Sequence, residues 1–289
     1  MAPLSPTVAR WELTSRIRMY TAERDLTGAA IAKHLGFSPT YWSKFERDRK
    51  ILSEDKLQLL FGVLDLSADD REDLLALRAA ASGRGWWAEY SNLFGVEHQR
   101  LWGLEFGASE ISAYESLLIP GLLQTESYAR ALIDQDDVFI PKKEVARRVE
   151  VRMRRQERLT GADPLRFNAI VSQAALLQQV GGPDVLREQL QHLAHLIRRY
   201  PETLDVRVMP FTSRSGYLFG GAAFYVIEFD RPFLPPLGWH ESTAVSGVIE
   251  NSDQVRDLTI AFEAAQRNAL GKRDTLALIE ESAGRLGTT

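Results

Sequence analysis

The chain has 289 residues, 45% of them hydrophobic and 26% charged, with a formal net charge of -4 and no cysteine. That composition supplies cores for two domains and excludes a mainly disordered chain; the missing cysteines exclude disulfide scaffolds and thiolate metal sites. No apolar run approaches the roughly 20 residues of a membrane helix, and Met1 to Arg10 lacks a signal-peptide core, so the expectation is a cytoplasmic protein with no membrane partner.

In chain order, residues 10–81 read as a run of short helices. Thr27 caps one covering Gly28 to Leu35, and Gly36 offers the backbone freedom of a tight turn. Ser38-Pro39 opens the next, with Ser38 as N-cap and Pro39 in the first helical position. Ser53 opens a fourth, with Glu54 and Asp55 in its first turn, and Ser67 a fifth. Ser82-Gly83-Arg84-Gly85 breaks this pattern, which divides the chain into residues 1–82 and 83–289. Beyond it the pattern is mixed. Helices are expected over Glu126–Asp134, Lys142–Leu159, Pro183 to about Arg199, Val255–Ala269 and Thr275–Ser282. Strands are expected over Leu165–Val171, Leu204–Met209 and Ala222–Phe229, with one or two more in Gly238–Ile249. The fold class is therefore mainly α with an α+β second domain: a five-helix N-terminal module followed by a larger mixed domain.

Thr27 to Arg47 meets several separate demands of a helix-turn-helix. Two crossing helices need apolar residues where they meet, and Ile31, Leu35, Phe37, Trp42 and Phe45 supply them. Ala32 gives the small residue of the crossing, and Gly36 the turn. Thr40, Tyr41, Ser43, Lys44 and Arg47 form a polar face on the second helix. Thr40 and Lys44 are the first candidates for base contact and Tyr41 and Ser43 the next, whereas Ser38, the helix N-terminus and Arg47 are placed to hold phosphate. Trp42 and Phe45 lie on the opposite face and read as core. Nine Lys/Arg face five Asp/Glu between Arg10 and Lys50, a local net of +4, but three face seven over 51–81, a net of -4.

The motif resembles the Xre/Cro-like helix-turn-helix superfamily, in which many members carry Gln where this chain has Gly28. That Gln clamps a phosphate, so the resemblance implies that affinity comes from elsewhere: Arg16, Arg18 or Lys44. Further on, Gly85-Trp86-Trp87, Tyr114-Glu115, the run from Ile119 to Arg130, Val208-Met209-Pro210-Phe211 and the Gly221–Phe229 strand resemble actinobacterial Xre-type regulators with a long C-terminal antitoxin-like domain. The likeness spans about Arg10 to Leu278. It implies a regulator of transcription controlled through its second domain by a small protein encoded nearby or a small-molecule effector; because one reader helix spans only a few base pairs, a sequence-specific homodimer on a near-palindromic site in double-stranded DNA is expected. The alternative is an antitoxin-like protein that sequesters a small partner and autoregulates its operon. Where many relatives have an acidic residue after the first strand, this chain has Gln173.

Candidate residues for contact with a ligand or partner in the second domain are Trp86, Trp87, Tyr114, Glu115, Gln124, Gln173, Trp239 and Glu241. Pro120-Gly121 reads either as a structural corner or as a ligand-lining loop. The segment Lys142–Arg158 carries eight bases against three acids and reads as an ion-paired face or as an added surface for DNA or an acidic partner. His192 and His195 share a helix face without a third ligand nearby, Gly216–Gly221 is a glycine-containing turn, and no nucleophile, zinc-protease or phosphate-loop motif is present. No enzyme activity, metal or cofactor is expected.

Overall fold

The structure, a computed structural model, describes residues 2–46, 50–136, 140–213, 222–242 and 245–286. Arg47 and the 216–221 turn lie outside the described residues. The chain divides into two compact units. One comprises Pro3–Ala88 with Arg231–Pro235, the other Glu89–Asp230 with Pro236–Thr289 and the first two residues. The first unit thus runs past the expected boundary at Ser82. Trp87 folds back over Gly85, where a Cβ would stand 2.2 Å from the indole, so this linker is packed and not free.

The first unit holds α1 (Pro6–Glu23), α2 (Gly28–His34), α3 (Pro39–Glu46), α4 (Glu54–Val63) and α5 (Ala68–Ala81). The starts of α2, α3 and α5 follow the capping chemistry, whereas Ser53 stands at the N-cap of α4 without a side-chain cap bond. The Thr27 hydroxyl accepts the Ala30 amide at 3.2 Å, that of Ser38 accepts Tyr41 at 3.2 Å and that of Ser67 accepts Asp70 at 3.1 Å. Helix α1 begins four residues before the expected Arg10, because Ser5-Pro6 repeats the Ser-Pro start of α3 and the Ser5 hydroxyl accepts the Val8 amide at 3.0 Å. Ile17, Ile31, Leu35, Trp42, Phe45, Leu57, Phe61 and Leu74 join in one core.

Helix α1 also buries Glu12 and Arg16. Arg16 pairs with Asp70 at 2.9 Å and Asp73 at 3.2 Å, donates to the Tyr20 hydroxyl at 3.1 Å, and stacks 4.4 Å from the Phe233 ring. Glu12 takes its cation from Arg231. Both partners from residues 231–235 therefore belong to this unit's own packing.

The second unit is built on a six-stranded sheet of β1 (Glu110–Glu115), β2 (Arg166–Ser172), β3 (Leu204–Met209), β4 (Phe224–Glu228), β5 (Leu237–Glu241) and β6 (Ser246–Ile249), in the order β3-β2-β1-β4-β5-β6. Strands β1, β2 and β3 are parallel, and β4 to β6 continue antiparallel from β1. Between β1 and β2 the chain forms α7 (Glu126–Gln135) and α8 (Val145–Arg155), and between β2 and β3 α9 (Pro183–Arg199). Helix α6 (Val96–Gly107) precedes the sheet, and α10 (Ser252–Asn268) and α11 (Lys272–Arg285) follow it. The central strand β1 stands out least in the sequence, because Glu110, Ser112 and Glu115 interrupt its apolar run. Gln173 consequently follows the second strand, not the first. The expected Lys142–Leu159 helix is α8 flanked by two short 3-10 turns.

Strand alternation sorts the sheet into two faces. Tyr114, Phe224, Val226, Ile170 and Met209 pack beneath Val255, Ala261 and Phe262 of α10. The other face carries Ala113 opposite Tyr225 and Tyr225 opposite Trp239, with Glu115 and Glu241 two residues further along their strands on that same face.

Candidate DNA interface and a polar recess at the sheet end

In the first unit, Ser38, Thr40 and Lys44 are exposed, while Tyr41 and Ser43 are half-buried. Thr40 and Lys44 stand one turn apart on the solvent side of α3. Trp42 and Phe45, on the inner side, are buried with their rings 5.2 Å apart. Tyr41 stacks on Phe37 at 4.3 Å and holds the Lys50 ammonium 4.2 Å above its ring, so it fixes the surface beside the reader residues. Lys56 donates to the Leu35 carbonyl at 2.6 Å and closes the C-terminus of α2.

Two of the three expected sources of phosphate affinity are committed elsewhere. Arg16 is buried among Tyr20, Asp70 and Asp73, and Arg18 donates to the Glu46 carbonyl at the end of α3. Lys33, Lys44 and Lys50 remain exposed. Asp70 and Asp73 in turn spend part of the negative charge of α5 on Arg16. The Tyr20 hydroxyl first, and then that of Ser67, hold the Asp70 carboxyl below its ordinary value. Gly28 has a packing reason as well. A Cβ there would lie 2.6 Å from Trp42 Nε1 and 2.8 Å from its Cδ1, so the start of α2 approaches α3 across a glycine.

In the second unit, Glu115, Tyr225 and Glu241 come from three adjacent strands at one end of the sheet, on the face away from α10. The Tyr225 hydroxyl donates to Glu115 Oε1 at 3.0 Å. His98 of α6 stands 3.5 Å from Glu241 and packs its ring 5.7 Å from that of Trp239. From α8, Arg155 forks onto Glu105 of α6 at 2.9 and 2.7 Å, both side chains being buried. One helical turn earlier, Arg152 donates to Gln124 Oε1 at 2.7 Å.

Partial exposure of side chains packed at the sheet end marks a recess. Glu115, Tyr225 and Arg152 keep partial access to solvent, yet desolvation governs all three. Burial, with Glu241 adding to it, pushes the Glu115 carboxyl up to about 7 against the Tyr225 hydrogen bond. Burial raises the Tyr225 hydroxyl well above its ordinary value, and burial followed by repulsion from Arg155 lowers Arg152. Burial also opposes the charge of Arg155, but the Glu105 carboxylate more than restores it. Glu241 is held below its usual value, first by His98.

The run from Ile119 to Thr125 is a corner braced by three glutamines. Gln124 donates to the Ile119 carbonyl at 2.8 Å, Gln156 to Gly121 and Gln124 carbonyls at 3.1 and 2.7 Å, and Gln189 to the Leu123 carbonyl at 2.7 Å while accepting the Thr125 amide at 2.7 Å. Thr125 then caps α7. The corner is structural, and it also aims Arg152, because the side-chain oxygen of Gln124 is left for the guanidinium.

The eight sequence candidates are therefore not one group. Glu115, Trp239 and Glu241 share a face, and Gln124 reaches it through Arg152. Tyr114 points the other way, into the core under α10. Gln173 accepts the Phe211 amide at 2.9 Å and ties the turn after β2 to the one after β3. Trp86 and Trp87 belong to the first unit, their rings edge to face at 5.8 Å. Sequence reading missed Arg152 and Tyr225. Arg152 was hidden among the bases of Lys142–Arg158, although its spacing of three from Arg155 places both on one helix face.

Most of those bases serve internal contacts. Arg148 pairs with Glu144 at 2.9 Å and donates to the Leu93 carbonyl at 2.7 Å, Lys142 pairs with Asp134 at 3.0 Å, and Arg158 donates to the Ala108 and Asp163 carbonyls at 2.9 and 2.7 Å. These contacts favour the ion-paired reading. Among the described residues no three His, Asp or Glu side chains gather as a metal site, and no helix is long and apolar enough to cross a membrane.

Residues 98–281 match the model of a family described as a domain of unknown function, DUF5753, and residues 12–74 match that of a helix-turn-helix domain. No curated protein and no solved structure matches the chain.

Proposed function

The chain belongs to the DUF5753 family, and from that premise, with a DNA-binding helix-turn-helix domain at its N-terminus, we propose that it is a sequence-specific transcriptional regulator of Xre/Cro-like type. It acts in the cytoplasm as a homodimer on a near-palindromic operator, without enzyme activity of its own, and the DUF5753 unit controls when it binds. The observation that carries this reading is the asymmetry of α3: Trp42 and Phe45 lock its inner side, while Thr40 and Lys44 stand exposed. A reader helix needs this arrangement, because base contacts discriminate only if the helix is held rigidly in the groove. One such helix spans a few base pairs, which is why two copies are required. Control follows if an effector binds the DNA-competent and incompetent states unequally.

The test is selection of the operator from random duplex DNA with the full chain, followed by gel shifts. Thr40→Ala with Lys44→Ala should abolish sequence preference in a protein with an unchanged melting curve. Lys44→Ala alone should lower the slope of log affinity against log salt by about 1 if it contacts phosphate, or relax preference at one base pair if it contacts a base. A double variant that retains the selected sequence preference would remove α3 from the role of reader.

A further inference from the structure

The two arginines one turn apart on α8 are treated differently by the fold. Arg155 is buried against the buried carboxylate of Glu105, as a structural cation must be. Arg152 is also desolvated, but among the described residues its hydrogen bond goes to a neutral amide, that of Gln124. Two carboxylates look into the same recess from β1 and β5, Glu115 and Glu241. Neither comes within the 4.0 Å of an ion pair with Arg152 among the described residues, although both act on its charge. Glu115 has one oxygen on the Tyr225 hydroxyl. The packing holds this separation open. Gly121 leaves room for Arg152, whose Nη1 would lie 3.1 Å from a Cβ there, and Gln124 is fixed by its bond to the Ile119 carbonyl.

Among the described residues Glu241 has His98 at 3.5 Å, whereas Arg152 and Glu115 carry opposite charges with no ion pair of their own; opposite charges held apart in a partly dry recess are costly unless something else completes them. A simple anion would meet Arg152 and two carboxylates; a simple cation would leave Arg152 unmet. A molecule with one group of each sign answers both. We infer that the recess between β1, β4, β5 and α8 is a binding site for a small zwitterion of the amino-acid class, its carboxylate taken by Arg152 and its ammonium by Glu115 and Glu241, with the Tyr225 hydroxyl orienting Glu115. This rests on the reading of the second unit as the controlling one, and it names the class of effector. Displacement of water by an ammonium also favours the charged form of Glu115, so binding near neutral pH releases a proton.

The test uses the full chain, with no DNA present, titrated calorimetrically with each of the twenty amino acids, and with putrescine and acetate as cation-only and anion-only probes. At least one amino acid should bind about tenfold or more tightly than either probe, and Glu115→Gln and Arg152→Gln should each weaken it by about tenfold or more. Glu241→Gln, at an exposed position, serves as a further variant should either of the others fail to fold. Binding heats measured in buffers of different ionisation enthalpy should reveal the released proton in the parent and lose it in Glu115→Gln. The inference is overturned if no amino acid binds with a Kd below roughly 10 mM, or if binding survives either Glu115→Gln or Arg152→Gln unweakened in a folded protein. A zwitterion that binds without changing operator affinity would refute the control reading and leave the site standing; an operator-binding protein that takes no zwitterion would do the reverse.

Discussion

Replacing Gly28 by Ala sets two opposing effects against each other. Gly costs up to about 1 kcal/mol relative to Ala in a helix interior, so propensity alone says that the change stabilises, though less at a helix start. The packing says otherwise. The new Cβ would stand 2.6 Å from Trp42 Nε1 and 2.8 Å from its Cδ1, where carbon contacts settle at about 3.5–4.0 Å, so something must move by about 1 Å. Trp42 cannot swing away: it is 4% exposed and lies against Phe45 in the core beneath the reader helix. Overpacking of this kind costs about 1–3 kcal/mol, which outweighs the gain in propensity. For a unit of this size each kcal/mol lowers the melting temperature by about 4–8 °C. Scanning calorimetry of the full chain should show the transition of the helix-turn-helix unit falling by several degrees, with operator affinity reduced as α3 is displaced. Gly28→Gln should do the same and should not restore a phosphate clamp. A variant that melts at the parent temperature or above would refute the packing argument and show that α2 is free to shift.

The other predictions concern charge. Arg155→Met leaves Glu105 buried without its partner and should cost the second unit about 3–5 kcal/mol in denaturant unfolding, while Arg155→Met with Glu105→Leu should recover most of that loss. If the double variant is no better than the single, the pair is not the source of the stability. Glu115 gains a folded-state pKa of about 7 from an ordinary value near 4.5, so its protonated form stabilises the fold. Stability of the second unit should be fullest below pH 4.5 as far as this group is concerned, and fall by up to about 3 kcal/mol as pH rises through 7. Its neighbours Tyr225, Glu241, Arg152, Arg155 and Tyr128 carry the rest of the field, and Glu115→Gln should flatten the slope between pH 5 and 7. An unchanged slope would place the titrating group elsewhere. Arg231→Ala should destabilise the first unit by leaving Glu12 buried and unpaired, and Glu12→Gln should rescue it; hydrogen exchange of α1 amides reads both effects.

The local sequence determined the helix-turn-helix. Thr27, Ser38 and Ser67 cap the helices they were expected to cap, Gly36 takes the positive φ of 66° that its turn requires, and the apolar residues of 31–45 meet in one core. These are interactions among residues a few positions apart, so pattern alone carries them. Charge was legible only as an average: nine bases near the reader gave +4, yet Arg16 and Arg18 had already been committed to Asp70, Asp73 and the Glu46 carbonyl by the packing of α1. In the second unit the sequence marked Glu115, Gln124, Trp239 and Glu241 without showing how they combine. Which of them meet depends on the register of β1, β4 and β5, on strand alternation that turns Tyr114 away from Glu115, and on a corner of glutamines that delivers Arg152 from α8. The bonds from Arg152 to Gln124 and from Tyr225 to Glu115 span 28 and 110 residues of chain. Local periodicity assigns each residue a side of its own element; only the packed sheet and helix decide that Arg152 arrives beside two carboxylates without touching either.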